Sequence, residues 1–253
     1  MFRKAFTLTG LIATLVLRTT ISHAETTIVA VAANFTKPMI EIASAFEKET
    51  GHSAKLSFGS SGKFITQIEN GAPFEVFLSA DEAGPRRLIQ EELAVKESFY
   101  GYAQGKLVLW SANPSLVDPH GQVLKTGQFQ HLALADPKLA PYGAAAVDFL
   151  TRHQLLAKLQ PLMVFGENIT QTHQFISSSN AELGFIALSQ VIDNGKIVQG
   201  SGWIIPNDQY QPIKQTAVLL NLGSDNPAAL ALMTYLRSNT AQAIINHYGY
   251  QLP

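Results

Sequence analysis

The chain has no cysteine. That excludes disulfides, thiolate metal sites, a thiol nucleophile and a lipid thioether anchor. Arginine is scarce: Arg3, Arg18, Arg86, Arg87, Arg152 and Arg237 are all there is. An organic carboxylate usually recruits an Arg as a bidentate clamp, so a shortage of Arg weighs against an organic-acid ligand. Histidine stands at 23, 52, 120, 131, 153, 173 and 247, with no i, i+4 pair and no H-E-x-x-H, which leaves a metal site without a pattern. A basic excess is also missing, the formal net charge being −1. A nucleic-acid-binding surface is therefore not expected.

An apolar run long enough to span a bilayer is lacking too. Ala5 to Leu17 is too short and is soon followed by Arg18. It reads instead as part of a leader: Met1-Phe2-Arg3-Lys4 is a basic start, Ala5–Leu17 an apolar centre, and Ser22-His23-Ala24 a small-x-small cleavage site. Residues 1–24 are thus a signal peptide, Glu25 begins the mature chain, and the protein is expected in the periplasm. Without Arg3, Lys4 and Arg18, Lys+Arg falls from 18 to 15 against 19 Asp+Glu, a net charge of −4. If the ligand is an anion, local dipoles must attract it, not the overall field.

What is present is an alternation of apolar runs and helical patterns. Thr27–Ala33 is continuously apolar, as a strand buried on both faces would be. Met39, Ile42, Ala43 and Phe46 recur at helical spacing up to Gly51. Ser53–Phe58 is a second strand, followed by a helix to Asn70-Gly71, and Glu75–Asp81 is a third strand. Further strands are expected at Gly105–Trp110, His131–Pro137, Leu162–Phe165, Glu182–Ala187 and Ile213–Leu220. Helices are expected from Pro141 through Leu156, from Glu167 to about Ser177, from Asn226-Pro227 to Leu236, and from Thr240 to Asn246. The pattern predicts an α/β fold of two doubly wound lobes joined by a two-strand hinge. One lobe takes 25–102 plus 214–253 and the other 103–213. Ligands of such sheets sit at the C-terminal ends of the strands, here in the cleft between lobes.

Four strand-to-helix corners share one chemistry: Ala33-Asn34-Phe35, Ser60-Ser61-Gly62, Pro141-Tyr142-Gly143 and Asn168-Ile169-Thr170. Each puts small or capping residues where a helix starts, with free N–H groups and the positive end of a dipole. Two readings stand side by side. Ser and Asn at such junctions commonly cap the helix with their own oxygen. Turned outward, the same corners would surround a small anion with neutral donors.

Several stretches resemble the periplasmic molybdate-binding proteins that serve ABC importers, of the type II periplasmic binding protein family. They are Val31–Phe35, Phe58–Gly62, Asn70–Pro73 with Val76–Glu82, Gly105–Trp110, Asp136-Pro137 with Ala140–Gly143, Glu167–Ile169 and Gly184–Ala187. The resemblance covers nearly all of the mature chain. It implies ion contacts at Asn34, Ser61, Tyr142 and Ile169, with Ala33 adjoining. Those contacts reach the metal only through the oxygens of molybdate or tungstate, with no direct metal ligand and no cofactor. It also implies permease subunits of an ABC importer as partners, a monomer, and no chemical transformation. The family places a hydroxyl at the position of Ala33 or Asn34, and some members a Tyr hydroxyl at that of Ala187. Here both are missing, so Tyr142 or the Asn34 amide has to make up the count. Molybdate, tungstate and sulfate only accept hydrogen bonds, whereas phosphate brings its own O–H and needs an acceptor. Sulfate or another inorganic oxyanion remains the alternative ligand.

An enzyme is the rival from another class. Ser60–Lys63 matches S-x-x-K, Ser224-Asp225-Asn226 matches S-D-N, and Lys125-Thr126-Gly127 matches K-T-G, the signatures of penicillin-interacting serine acyltransferases. The order along the chain is wrong for that family, and Asn226-Pro227 is explained as a helix cap.

Overall fold

The computed structural model describes residues 24–127 and 129–252; the expected leader, apart from Ala24, lies outside them. The chain starts with β1 (Thr26–Ala32), a 3₁₀ turn at Ala33–Phe35 and α1 (Thr36–Thr50). Then come β2 (Ser53–Gly59), α2 (Ser61–Glu69), β3 (Val76–Ser79), α3 (Ala83–Gln90) and β4 (Tyr100–Gly105). A second sheet begins with β5 (Leu107–Ser111), followed by α4 (Val123–Thr126), β6 (Leu132–Ala135), α5 (Pro141–Arg152) and α6 (Leu156–Leu159). It continues through β7 (Met163–Gly166), α7 (Ile169–Ser177) and β8 (Leu183–Ala187). A small hairpin of β9 (Ile192–Asp193) and β10 (Lys196–Ile197) precedes β11 (Ser201–Ile204). The chain then returns to the first sheet as β12 (Ile213–Leu219) and ends with α8 (Pro227–Tyr235) and α9 (Asn239–His247).

The first sheet has the order β2-β1-β3-β12-β4 and the second β11-β5-β8-β6-β7. Each forms a lobe with its helices. β1, β2 and β3 run parallel, as the strand–helix alternation requires. The returning β12 is antiparallel to both β3 and β4, so the sheet is mixed. In the second sheet β6 is parallel to β7 and β8, β5 is antiparallel to β8, and the edge strand β11 is antiparallel to β5. The helix expected from Pro141 through Leu156 stops at Arg152, and α6 starts separately at Leu156.

The period-2 geometry of a strand explains why β1 is apolar from Ile28 to Ala32. Val29 and Val31 face α1, α8 and α9, packing with Met39, Ile42, Phe46, Leu232 and Ile245. Ala30 faces the other way, toward Phe64 and Ile68 of α2 and Leu88 of α3. Both faces are covered, so both sets of positions from Ile28 on are apolar; Thr27 is the exception, fully buried with its hydroxyl unpartnered. The second sheet repeats the arrangement. Leu107, Leu109, Leu132, Leu134 and Phe185 pack with Tyr142, Ala146 and Phe149 of α5, and Val108, Ala133 and Ile186 pack with Ile176 of α7. Full burial of a side chain such as Phe46 or Phe149 contributes about 1.5–3 kcal/mol. Such packing fixes where the strand ends lie, and the strand ends carry the site.

Candidate functional site

β1, β2 and β3 end at Ala32, Gly59 and Ser79, and the residues just beyond them meet the starts of α5 and α7 across the cleft. The resulting cavity is lined by Ala32, Ala33, Asn34, Gly59, Ser60, Ser61 and Ala80 from the first lobe. The second lobe supplies Ala140, Pro141, Tyr142, Asn168 and Ile169. All five residues singled out from the sequence, Ala33, Asn34, Ser61, Tyr142 and Ile169, are therefore on one wall or the other. No lining residue carries a charge. The cavity is narrow, with barely room for one water molecule.

The corners differ in what they leave free. Asn168 caps α7: its Oδ1 accepts from Thr170 N at 2.9 Å and Gln171 N at 3.1 Å. The N–H of Ile169, the first helical residue, remains outside that arrangement. Pro141 occupies the first turn of α5, where it has no N–H to satisfy, and the following N–H is that of Tyr142. Ser60 precedes α2 but makes no side-chain cap bond. Its Oγ is buried and has no hydrogen-bond partner. Such an orphan costs about 1–3 kcal/mol unless something else meets it. Ser61 is differently placed. Its Oγ accepts from Ala80 N at 3.0 Å, which leaves its own hydrogen to donate.

Two expectations need correction. The Asn34 amide is not available as a donor to the cavity. Both of its hydrogens are committed, to Gln215 Oε1 and to Tyr250 Oη, each at 2.9 Å. What Asn34 offers is its backbone. The Tyr142 hydroxyl does not fill the gap either. It is buried without a partner and lies against Gly105, where an added Cβ would overlap it; Gly105 is not part of the cavity wall. Burial, with the neighbouring Tyr250 and Tyr210 adding to it, pushes the Tyr142 phenol well above its usual pKa, so it stays neutral. The sequence reading missed Ser60 as a site residue, having read its oxygen as a cap or as a nucleophile.

The two lobes touch around the cavity. Gly62 N donates to Leu139 O at 2.9 Å. A side chain at 62 would press on the Leu139 backbone at 3.1 Å, so glycine is what lets α2 approach that closely. At the exposed rim Lys63 Nζ pairs with Glu167 Oε1 at 3.0 Å, and Lys37 Nζ donates to Gln190 O at 2.9 Å. Asp81, the carboxylate nearest Ala80 in the chain, faces elsewhere. It accepts from Gly84 N at 2.9 Å, and burial, partly offset by that bond and one from Ser79, raises its pKa.

The acyltransferase geometry is not assembled. Lys63 Nζ is engaged by Glu167 and Ser60 Oγ has no base bonded to it. Asn226 caps α8 through Ala228 N and donates to Thr26 O and Glu75 Oε2. Lys125-Thr126-Gly127 forms the end of α4. Among the described residues no cluster of three His, Asp or Glu could hold a metal, and no helix is long and apolar enough to cross a membrane. His173 is half-buried with its ring stacked on Trp110, centroids 5.0 Å apart. Burial, and then the Lys37 charge, lower its pKa.

Comparison with known proteins gives this geometry a setting. The chain is 55% identical over 224 residues to the molybdate-binding protein ModA of Azotobacter vinelandii, covering 88% of this chain and 89% of that one. It is 51% identical over 223 residues to ModA of Rhodobacter capsulatus, covering 88% and 87%. The solved Azotobacter vinelandii periplasmic molybdate-binding protein superimposes with a TM-score of 0.87 at 42% identity, over 90% of this chain and 99% of that one. Residues 27–251 match the bacterial extracellular solute-binding protein family, and the chain belongs to that family.

Proposed function

We propose that this protein captures molybdate, and with it tungstate, in the inter-lobe cavity and hands it to the permease subunits of an ABC importer. It acts in the periplasm as a monomer after removal of the leader, and it transforms nothing. The observation that carries the reading is the cavity wall itself: buried neutral donors from both lobes, one of them an unpartnered hydroxyl, and no charged side chain. An ion that only accepts hydrogen bonds can give up its water there without a salt bridge, because many neutral donors replace that water. The main-chain N–H groups of Ala33, Asn34, Ser61, Tyr142 and Ile169 are the contacts we assign, joined by the Ser61 and Ser60 hydroxyls. Ser60 supplies the donor that the first corner lacks at Ala33. The close identity to two molybdate-binding proteins supports the choice of ion.

The absence of Arg from the cavity wall disfavours an organic acid. We place the hinge at the two crossings between sheets, Gly105 to Leu107 and Ile204 to Ile213. Closure there brings the four corners together. Calorimetric titration of the mature chain with molybdate, tungstate, sulfate and phosphate tests the reading. Tight binding of molybdate with no response to phosphate is expected. Tight phosphate binding without a response to molybdate would refute it.

A further inference from the structure

A buried polar network adjoins the cavity. It joins one residue of the second lobe to three of the first. Asn34 Nδ2 donates to Tyr250 Oη at 2.9 Å. The single hydrogen of Tyr250 Oη has two acceptors in reach, the Asn34 main-chain oxygen at 2.8 Å and Ser189 Oγ at 3.1 Å. Ser189 Oγ donates to the main-chain oxygen of Asn34 at 2.8 Å. Asn34, Tyr250 and Ser189 are thereby joined in one ring of polar contacts. The remaining Asn34 amide hydrogen goes to Gln215 Oε1, on the returning strand β12. Asn34, Ser189 and Tyr250 are 4%, 3% and 4% exposed, and Gln215 is fully buried. Members of such a buried ring polarise and strengthen one another.

The ring has a particular position in the machine. Asn34 lies in the turn after β1 that forms part of the cavity wall. Gln215 and Tyr250 hold it from the first lobe. Ser189 is in the 3₁₀ turn after β8, in the second lobe. The Asn34–Tyr250 and Asn34–Gln215 bonds survive when the lobes part, because all three residues move together. The two bonds of Ser189 do not. Ser189 lines no part of the cavity, so it touches no ion.

We infer that Ser189 is a positioning residue of the closed state, latching the second lobe onto the Asn34 turn and so setting how long a bound oxyanion is held. The inference rests on the oxyanion reading of the cavity, but not on which oxyanion. Opening must break the latch before the ion leaves, whereas arrival precedes its formation. Removing it therefore acts on release and leaves association nearly untouched.

The test is stopped-flow measurement of molybdate association and release, followed by tryptophan fluorescence, in the full mature protein. Ser189→Ala should release molybdate about 3–10-fold faster, with association within about twofold of wild type. Tyr250→Phe, which opens the same ring from the other side, should also speed release. The double variant should then fall short of the product of the two single effects, since one ring has been opened twice. Slower association with unchanged release, or fully multiplicative single effects, overturns the latch. If the wild type ignores molybdate but binds sulfate, the choice of ion fails while the same rates, read with sulfate, still decide the latch. Binding of no oxyanion at all overturns both.

Discussion

At the corner before α7, Asn168 turns its side chain back onto its own helix and satisfies Thr170 N and Gln171 N. At the corner before α2, Ser60 occupies the same position and does not. Its hydroxyl is left over, while Gly62 N goes across the cleft to Leu139 and Ser61 Oγ takes Ala80 N. The first corner is an ordinary helix start that lends one N–H to the cavity. The second has its Gly62 N satisfied from across the cleft, and both of its hydroxyls keep a hydrogen to donate. A capping residue therefore has two possible fates. The choice depends on who else satisfies the helix end.

Substitutions at the two corners sharpen or break that contrast. Ser61→Ala should have the largest effect, weakening molybdate binding by roughly 1.5–3 kcal/mol in calorimetry, because it removes a donor to a charged group. An unchanged affinity would take Ser61 out of the site. Ser60→Ala should cost affinity at the low end of that range, about 1.5 kcal/mol, with thermal stability kept or slightly raised. A loss of stability with intact affinity would make Ser60 a cap like Asn168 and erase the distinction. Asn168→Ala should do the converse. Unfolding in denaturant should show about 1 kcal/mol of lost stability, while affinity changes less than for either serine.

The Asn34 side chain is, like that of Asn168, consumed by the protein, and pH offers a check on its partner. Burial pushes the Tyr250 phenol from 10.0 up to about 12. A phenol with a raised pKa favours the folded state fully below its unfolded value. Its contribution is then lost as pH climbs from about 10 through about 12. Unfolding free energy should fall over that window, and the fall should be smaller in Tyr250→Phe. Equal slopes would remove Tyr250 from the buried network. Smallest of all should be Lys63→Ala. Its pair with Glu167 is exposed on both sides and worth about 0–1 kcal/mol, read as a minor change in affinity that vanishes in high salt.

The sequence makes the strands and corners visible because their signals are local. The continuous apolar run of β1 shows a strand covered on both faces, and Asn226-Pro227 and Asn168 cap helices where the residue types say they should. What stays hidden depends on distant partners. Ser60 and Ser61 are chemically alike, and only Ala80, nineteen positions beyond Ser61, distinguishes them. The Asn34 amide looks free until Gln215 and Tyr250 arrive from 181 and 216 positions away. β11 gives no strong pattern of its own, being a half-exposed edge strand with Gly202 in it. The antiparallel setting of β12 depends on a return that no local pattern encodes.

Gly105 lies at the crossing between the lobes, and the Tyr142 ring extends over it from the cavity wall to the bend of the molecule. Any other residue there would have to evict that ring from its present rotamer. One wall residue is thereby held in place from a position outside the wall. A search for altered ion preference confined to the inner surface would overlook it.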